Sequence, residues 1–527
     1  MSEQDQAAVI AFLADPASHG GTAVERIDTH ASIVFLAGDR AFKLKRAVRF
    51  SYLDYSTLAL REQFCRAELA LNRRTAPELY EEVCPVTRAA DGRLMLGDTG
   101  AVVDWVVVMR RFDQDTLFDR MAERQQLSSG LMLDLAAQIA QFHAAADIDR
   151  ESGGHRGMAA TTASDARNLR AAVPATLDAT AVEALIAATQ AELARLAPLL
   201  DARRRAGKVR HCHGDLHLRN ICLVAGRPTL FDCIEFNHVI SNIDVLYDLA
   251  FLLMDLHTRQ LDAFGNAVFN RYLDLQDERD GLPALPLFLS VRAAVRAHVS
   301  AAAARQQTQP EAQSRALGEA RRYLAHAIDL SKPRPPRMIA VGGLSGTGKS
   351  TVAYGLAPEL GGVPGARVLR SDVIRKRLFG VALTERLPPS AYGAPVGERV
   401  YHEIQEEAAA ALAAGRSVIA DAVYARPADR DAIAAIAQQA HAPFFGLWLE
   451  APAAALAARI GARQGDASDA TAVVLRQQLA YDLGRIDWYR IDASGPADRV
   501  IDAARQWLAH AVALQPATAD ERNERDR

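Results

Sequence analysis

Two short stretches of this 527-residue chain carry the residue types that phosphate chemistry needs. GLSGTGKS, residues 343–350, fits the P-loop pattern G-x-x-x-x-G-K-[ST] in full. Gly343, Gly346 and Gly348 let the backbone N–H groups around Ser345 and Thr347 turn inward onto phosphate oxygens. The helix that opens at Lys349, Ser350 and Thr351 adds a favourable dipole. Lys349 would reach the terminal phosphates and Ser350 would ligate Mg²⁺. SVIAD, residues 417–421, is an apolar strand ending in Asp421, a carboxylate placed to orient that magnesium through water. The second stretch is HGDLHLRN, residues 213–220, where Asn220 follows Asp215 by five positions as in a kinase-type catalytic loop. A β-like stretch then leads to Asp232. In that arrangement Asp215 contacts an acceptor hydroxyl, while Asn220 and Asp232 ligate the magnesium that bridges nucleotide phosphates.

A metal centre is the other literal reading of the second stretch. His211, Cys212, His213, His217, Cys222 and Cys233 crowd together, and neutral imidazole and thiolate are good zinc ligands. Their spacing matches no C-x₂-C or H-x₃-H framework, which disfavours zinc.

The elements around these motifs are consistent with two separate supports. SKPRPPR, residues 331–337, cannot continue the Ala-rich helical stretch before it and marks a linker. MIAVGG then begins a new α/β unit as a buried strand. Before the linker, residues 31–110 read as short strands around one helix, STLALREQFCRAELALNRR, and residues from about 115 to 330 are mainly helical. The predicted fold class is therefore a multi-domain α/β chain. An N-terminal bilobal, protein-kinase-like α+β domain spans 1–330, with a small lobe at about 25–112 and a helical lobe at about 113–330. The Pro-rich linker 331–337 leads to a P-loop NTPase α/β domain with a parallel sheet at 338–513, and 514–527 is a polar, disordered tail.

Composition narrows the class. With 24% charged residues and a net charge of −3, the chain is neither disordered nor suited to binding nucleic acid by bulk charge. Five cysteines without a regular framework suit a reducing cytoplasm. The N-terminus is acidic where a signal peptide would be basic, and no apolar run reaches membrane-spanning length. Only six of the 61 basic residues are lysine, at 43, 45, 208, 332, 349 and 376, so lysine is expected where a compact ammonium must meet a phosphate. Neither lysine after the linker fits the [NT]-K-x-D motif of a GTPase. The domain also has no room for the helical lid of an AAA-type motor, which leaves a small-molecule kinase.

The P-loop half resembles the gluconokinase, polynucleotide-kinase and zeta-toxin branch of kinases through LRSDVIRKRL at 369–378, DAVYARPADR at 421–430, RIGAR at 459–463 and SDA at 468–470. The resemblance implies that Asp372 accepts the substrate hydroxyl proton and that Arg375 and Arg430 hold the acceptor. It also implies that Arg459 and Arg463 close as a lid on phosphate charge. The first half resembles the aminoglycoside phosphotransferase and choline-kinase group, whose loop begins H-G-D. That family requires a small-lobe lysine paired with a helix glutamate. Lys43 and Lys45 lie on one face of a strand, and Lys43 with Glu68 is the expected pair, with Lys45 as the alternative. The small lobe has no G-x-G-x-x-G; Thr29-His30-Ala31-Ser32 is its candidate phosphate loop, and Met109-Arg110-Arg111 stands where a hinge would contact adenine.

Together the halves resemble bacterial fusions of these two domains. The implied activity is an ATP- and Mg²⁺-dependent bifunctional phosphotransferase acting on hydroxyl groups of small molecules. A nucleotide-sensing pseudokinase controlling the P-loop half is one alternative, which the presence of Asp215, Asn220 and Asp232 disfavours. A polynucleotide 5′-kinase is another, disfavoured because no basic stripe with interleaved aromatics is present. No motif speaks to oligomeric state.

Overall fold

A computed structural model of the chain describes residues 6–50, 53–97, 99–462 and 467–513. Arg463 and the tail 514–527, two of the sequence expectations, lie outside the described residues. The chain divides into two compact units, Met1–Thr258 with Leu287–Ser331, and Arg259–Pro286 with Lys332–Arg527.

In the first unit a six-stranded antiparallel sheet is built from β1 (Val24–Asp28), β2 (Ser32–Ala37), β3 (Arg40–Lys45), β4 (Tyr80–Arg88), β5 (Leu94–Leu96) and β6 (Ala101–Arg110), in the order β1-β2-β3-β6-β4-β5. Alternation buries Phe42 and Leu44 on one face of β3 and sends Lys43 and Lys45 to the other. The helix Leu58–Asn72 starts where the Thr57 hydroxyl accepts from the Leu60 amide. Its buried face carries Arg61, Cys65, Glu68 and Asn72, an i, i+4, i+7, i+11 stripe in which three of the four residues are polar. Arg61 satisfies itself against the buried Asp104 at 2.6 Å.

The helical part includes Ser129–Ala145, Gly154–Ala171, Ala179–Arg205, Val245–Thr258 and Pro310–Ser331. The last of these stops two residues before Pro333, as the missing N–H and fixed φ of proline require. The strand β7 (Val209–His211) pairs with β10 (Asn242–Asp244), and β8 (Ile221–Val224) forms a hairpin with β9 (Arg227–Leu230). That hairpin is the β-like stretch expected between Asn220 and Asp232. By length and composition Arg279–Gln306 could cross a membrane, but 67% of its apolar window is buried, as in a core helix.

The second unit holds a five-stranded parallel sheet of β11 (Met338–Gly342), β12 (Arg367–Arg370), β13 (Val418–Asp421), β14 (Phe444–Glu450) and β15 (Tyr489–Asp492), in the order β12-β13-β11-β14-β15. β11 and β13 are buried throughout, the pattern of parallel strands covered on both faces. The chain order reverses at β11, so the crevice beyond its C-terminal end is where such sheets take ligands.

Residues 259–286 precede the linker yet belong to this unit. The helix Asp262–Leu275 lies along the edge strand β12, whose backbone groups would otherwise be open. Asn270 Oδ1 accepts from the Val368 amide at 2.7 Å, and Asn266 and Asn270 donate to the Ala366 carbonyl. Covering an edge with side-chain amides in this way removes a site for unwanted strand pairing.

Candidate active sites

The first site forms around the loop after β7. Asp248, on the helix Val245–Thr258, accepts from the backbone amides of His213 at 3.1 Å and Gly214 at 2.9 Å. Two turns further along the same helix, Asp255 accepts from the Leu218 amide at 3.0 Å. These two buried carboxylates clamp both ends of the loop. Arg292 adds a third hold by donating to the Gly214 carbonyl at 3.1 Å. Asp255 escaped the sequence reading, although an acid seven positions from Asp248 in an apolar helix was the available signal.

Within the loop, Asn220 donates from Nδ2 to the Asp215 carboxylate and to the Asp215 carbonyl, both at 2.9 Å, and its Oδ1 takes no part in either bond. His217 accepts at Nδ1 from the Arg219 amide, so its Nε2 presents a proton to Asp215 at 3.3 Å. Burial pushes the Asp215 carboxyl up, but His217, Arg296 and His213 outweigh it and hold the group well below the usual carboxylate range. Asp215 is therefore ionised at neutral pH. His213 is fully buried and donates toward the Phe231 carbonyl while accepting from the Asp215 amide. The cluster His143, Cys212 and Asp248 has its potential ligand atoms within 4.8 Å of one another, but Asp248 is already committed to two amides and His143.

Both lysines of β3 reach Glu68. Lys43 Nζ lies 2.7 Å from Oε1 and Lys45 Nζ 2.6 Å from Oε2, so the pairing left open by the sequence is shared. Glu68 is fully buried; burial raises its carboxyl, but the two ammonium groups bring it down to about 2. Lys43 also meets Asp232 at 2.5 Å, which brings the expected lysine, glutamate and metal-ligand aspartate into one chain of charges. Asp232 adopts φ 64°, the left-handed region, at a local cost of about 1 kcal/mol for a residue with a Cβ. His30, from the predicted phosphate loop, lies within electrostatic reach of Asp215, Asp232 and Lys43. The amides of Arg110 and Arg111 already donate to the Leu79 and Asp39 carbonyls, so the expected hinge has its N–H groups engaged at those two positions.

The second site opens where β11 ends. Gly343, at φ 138°, has its absent Cβ position 2.6 Å from the Leu449 carbonyl oxygen, and Gly346, at φ 89°, has its own 2.8 Å from that of Leu456. Only glycine permits that approach. Gly348 precedes the helix Lys349–Leu356 at φ 92°. Ser350 Oγ donates to Asp421 at 2.5 Å, which joins the P-loop to the end of β13. Burial and the nearby Asp372 push the Asp421 carboxyl up, against Lys349, Arg370 and Ser350. Lys349 donates to the Leu344 carbonyl at 3.2 Å, Thr347 Oγ1 to the same carbonyl at 2.9 Å, and the Ser345 amide to Gln478 at 2.7 Å. Thr351 is exposed. Asp372 sits in the first turn of the helix Ser371–Leu378, immediately after β12.

Several expected cations are engaged elsewhere. Arg430 is buried and donates to the carbonyls of Tyr424, Ala425, Leu483 and Arg485, so it clamps backbone and has no role open as an acceptor ligand. Lys376, expected near phosphate, is buried against Asp469 at 3.0 Å. Asp469 also accepts from the Leu387 amide and Tyr392. Arg375 donates to the Ala391 carbonyl at 2.6 Å. Arg459 donates to the carbonyls of Ser494 and Gly495 at 3.2 and 3.0 Å.

Comparison with known proteins identifies the relatives. The uncharacterized protein Rv2004c of Mycobacterium tuberculosis is 30% identical over 487 residues, covering 90% of this chain and 94% of the relative, and Mb2027c of Mycobacterium bovis matches equally. The chain belongs to the family of these mycobacterial proteins. Residues 51–285 match the phosphotransferase enzyme family, and residues 338–482 match an AAA domain, here the P-loop part. The chain thus carries a phosphotransferase domain before a P-loop domain, and it is a kinase. Among solved structures, a sugar kinase from Janibacter sp. HTCC2649 is 25% identical, covering 35% of this chain and 100% of that one at a TM-score of 0.25. A thermostable mutant of aminoglycoside phosphotransferase APH(4)-Ia is 17% identical, covering 60% and 98% at a TM-score of 0.37.

Proposed function

We propose that the chain is an ATP- and Mg²⁺-dependent bifunctional phosphotransferase that moves the γ-phosphate onto hydroxyl groups of small molecules, once at each site. The reading is carried by the chain of charges in the first unit, Glu68–Lys43–Asp232, together with the Asp215–Asn220 pair. A domain that only sensed nucleotide would not need an ionised Asp215 held by His217, Arg296 and His213.

The donor sets fit a hard divalent cation. Asn220 Oδ1 and the Asp232 carboxylate would be the oxygen ligands in the first site, and Ser350 Oγ with Asp421 in the second. Mg²⁺, when bound, would neutralise charge on the bridging phosphate oxygens. Lys43 would exchange Asp232 for a phosphate while keeping Glu68. Asp215 would accept the hydrogen bond of the acceptor hydroxyl and take its proton as the new oxygen–phosphorus bond forms and the bond from the γ-phosphorus to the leaving ADP breaks. In the second site the P-loop amides and Lys349 hold phosphate, Asp372 receives the hydroxyl proton, and Arg459 leaves its carbonyl partners to close on the transferring group. The acceptors are small molecules, and the cytoplasm is the expected place for a chain with five free cysteines.

The reading is tested on full-length chains carrying Lys349→Ala, which silences the second site. Mg-ATP binding by this chain, together with acceptor phosphorylation that is lost on adding Asp215→Asn, supports it. A Lys349→Ala chain that binds no Mg-ATP contradicts it for the first unit.

A further inference from the structure

Lys45 has no place in the mechanism above, although it is buried beside it. Its side chain is 1% exposed, against 14% for Lys43. All three of its N–H donors are taken, by Glu68 Oε2 at 2.6 Å, by Tyr55 Oη at 3.3 Å and by Glu235. A saturated, buried ammonium cannot touch a nucleotide. It can act only through its partners.

Glu235 is the informative one. It lies three residues after Asp232, on a segment without regular secondary structure, and its Oε1 also accepts from Tyr55 at 2.5 Å. The same segment contains the left-handed Asp232, a conformation that persists only when its surroundings over-determine it. The backbone holds are the Cys233 amide on Asn72 Oδ1 at 2.8 Å, the Ile234 amide on the His213 carbonyl at 2.9 Å and the Asp232 amide on Tyr80 Oη at 3.2 Å. Lys45–Glu235 is the side-chain hold at the far end. Two lysines on one strand thus grip one short loop, Lys43 at Asp232 and Lys45 at Glu235, and share Glu68 between them.

We propose that Lys45 is a positioning residue of the first site: through Glu235 it fixes the loop that presents Asp232 to the metal, and through Glu68 it keeps that carboxylate in place when Lys43 turns to phosphate. The inference rests on the functional reading above. The cluster has three carboxylates, Glu68, Asp232 and Glu235, and two ammonium groups, so one negative charge is left over for a cation. When Asp232 releases Lys43 for the metal, only the Lys45 side of the network still joins β3 to the loop. Its loss should therefore appear in metal dependence before it appears in nucleotide contact.

The experiment measures binding of a fluorescent ATP analogue by full-length Lys349→Ala protein as Mg²⁺ is titrated. Lys45→Met, Glu235→Gln and the double variant are compared, with the unfolding temperature recorded for each. The expected result is that either single change raises the Mg²⁺ midpoint about tenfold. The double variant should be no worse than the singles, because both remove one connection. Nucleotide affinity at saturating Mg²⁺ should move far less. A Mg²⁺ midpoint that stays put while only the unfolding temperature falls overturns the proposal, as does full additivity of the two changes. Glu235→Gln keeps the size and a hydrogen-bonding oxygen, so it reads the loop even if Lys45→Met folds poorly. A parent that binds no Mg-nucleotide would overturn both this proposal and the two-kinase reading; a parent that binds normally separates them.

Discussion

Asp274 and Arg367 form a 2.7 Å ion pair inside the second unit, although Asp274 precedes the proline-rich linker and Arg367 follows it. Both side chains are more than nine-tenths buried. Glu407 at 3.5 Å and the Asn270 carbonyl at 3.2 Å complete the surroundings of the guanidinium. Removing one member of a buried pair leaves the other uncompensated. Asp274→Ala should cost about 3 kcal/mol, near the low end for such pairs because Glu407 remains. Urea unfolding followed on a second-unit tryptophan such as Trp448 would show it. For the same reason a fragment starting at residue 332 should be far less soluble than one that retains 259–286.

The two lysines on Glu68 predict an asymmetry. Lys43→Met leaves Glu68 paired with Lys45, so stability should change little while first-site phosphoryl transfer falls about 100-fold, the usual effect of losing one transition-state donor. Glu68→Ala leaves two buried ammonium groups without their shared partner and should destabilise by about 3–5 kcal/mol. Thermal unfolding of the two variants side by side checks the ranking.

Glu68 also sets a pH dependence. Its folded value of about 2 lies below its ordinary 4.5, so the folded state favours the charged form. The stabilisation from this depression is complete above about pH 4.5 and is lost as pH falls toward 2. The stability gap between the parent and Glu68→Gln should therefore be constant from pH 7 to 5 and narrow below that. Urea midpoints across the range would measure it.

Arg430 should behave as a structural residue. Its guanidinium fork reaches four carbonyls, a task lysine cannot repeat from a single ammonium. Arg430→Lys should lower stability by about 2–4 kcal/mol, since bonds to charged donors contribute more than neutral ones. The KM for the second-site acceptor should not change. An acceptor ligand would show the reverse.

What was legible in the sequence was what is local in the chain. HGDLHLRN and GLSGTGKS place Asp215 beside Asn220 and Ser350 after its glycines within one loop each, and the backbone alone determines those geometries. Period two likewise put Lys43 and Lys45 on one face of β3. The rest depended on encounters the spacing does not encode. Glu235 meets Lys45 from 190 positions away, and Arg430 meets the Leu483 carbonyl from 53. The helix Asp262–Leu275 reads as one more amphipathic helix of the first half, because nothing local marks Asn266 and Asn270 as partners for a distant strand edge.

Whether each site transfers phosphate on its own is decided by metabolite-library phosphorylation with three full-length chains: the parent, Asp215→Asn and Asp372→Asn. Two independent sites give two sets of phosphorylated products in the parent, one lost only in Asp215→Asn and the other only in Asp372→Asn. A single product set, lost from Asp372→Asn and untouched in Asp215→Asn, would contradict that independence.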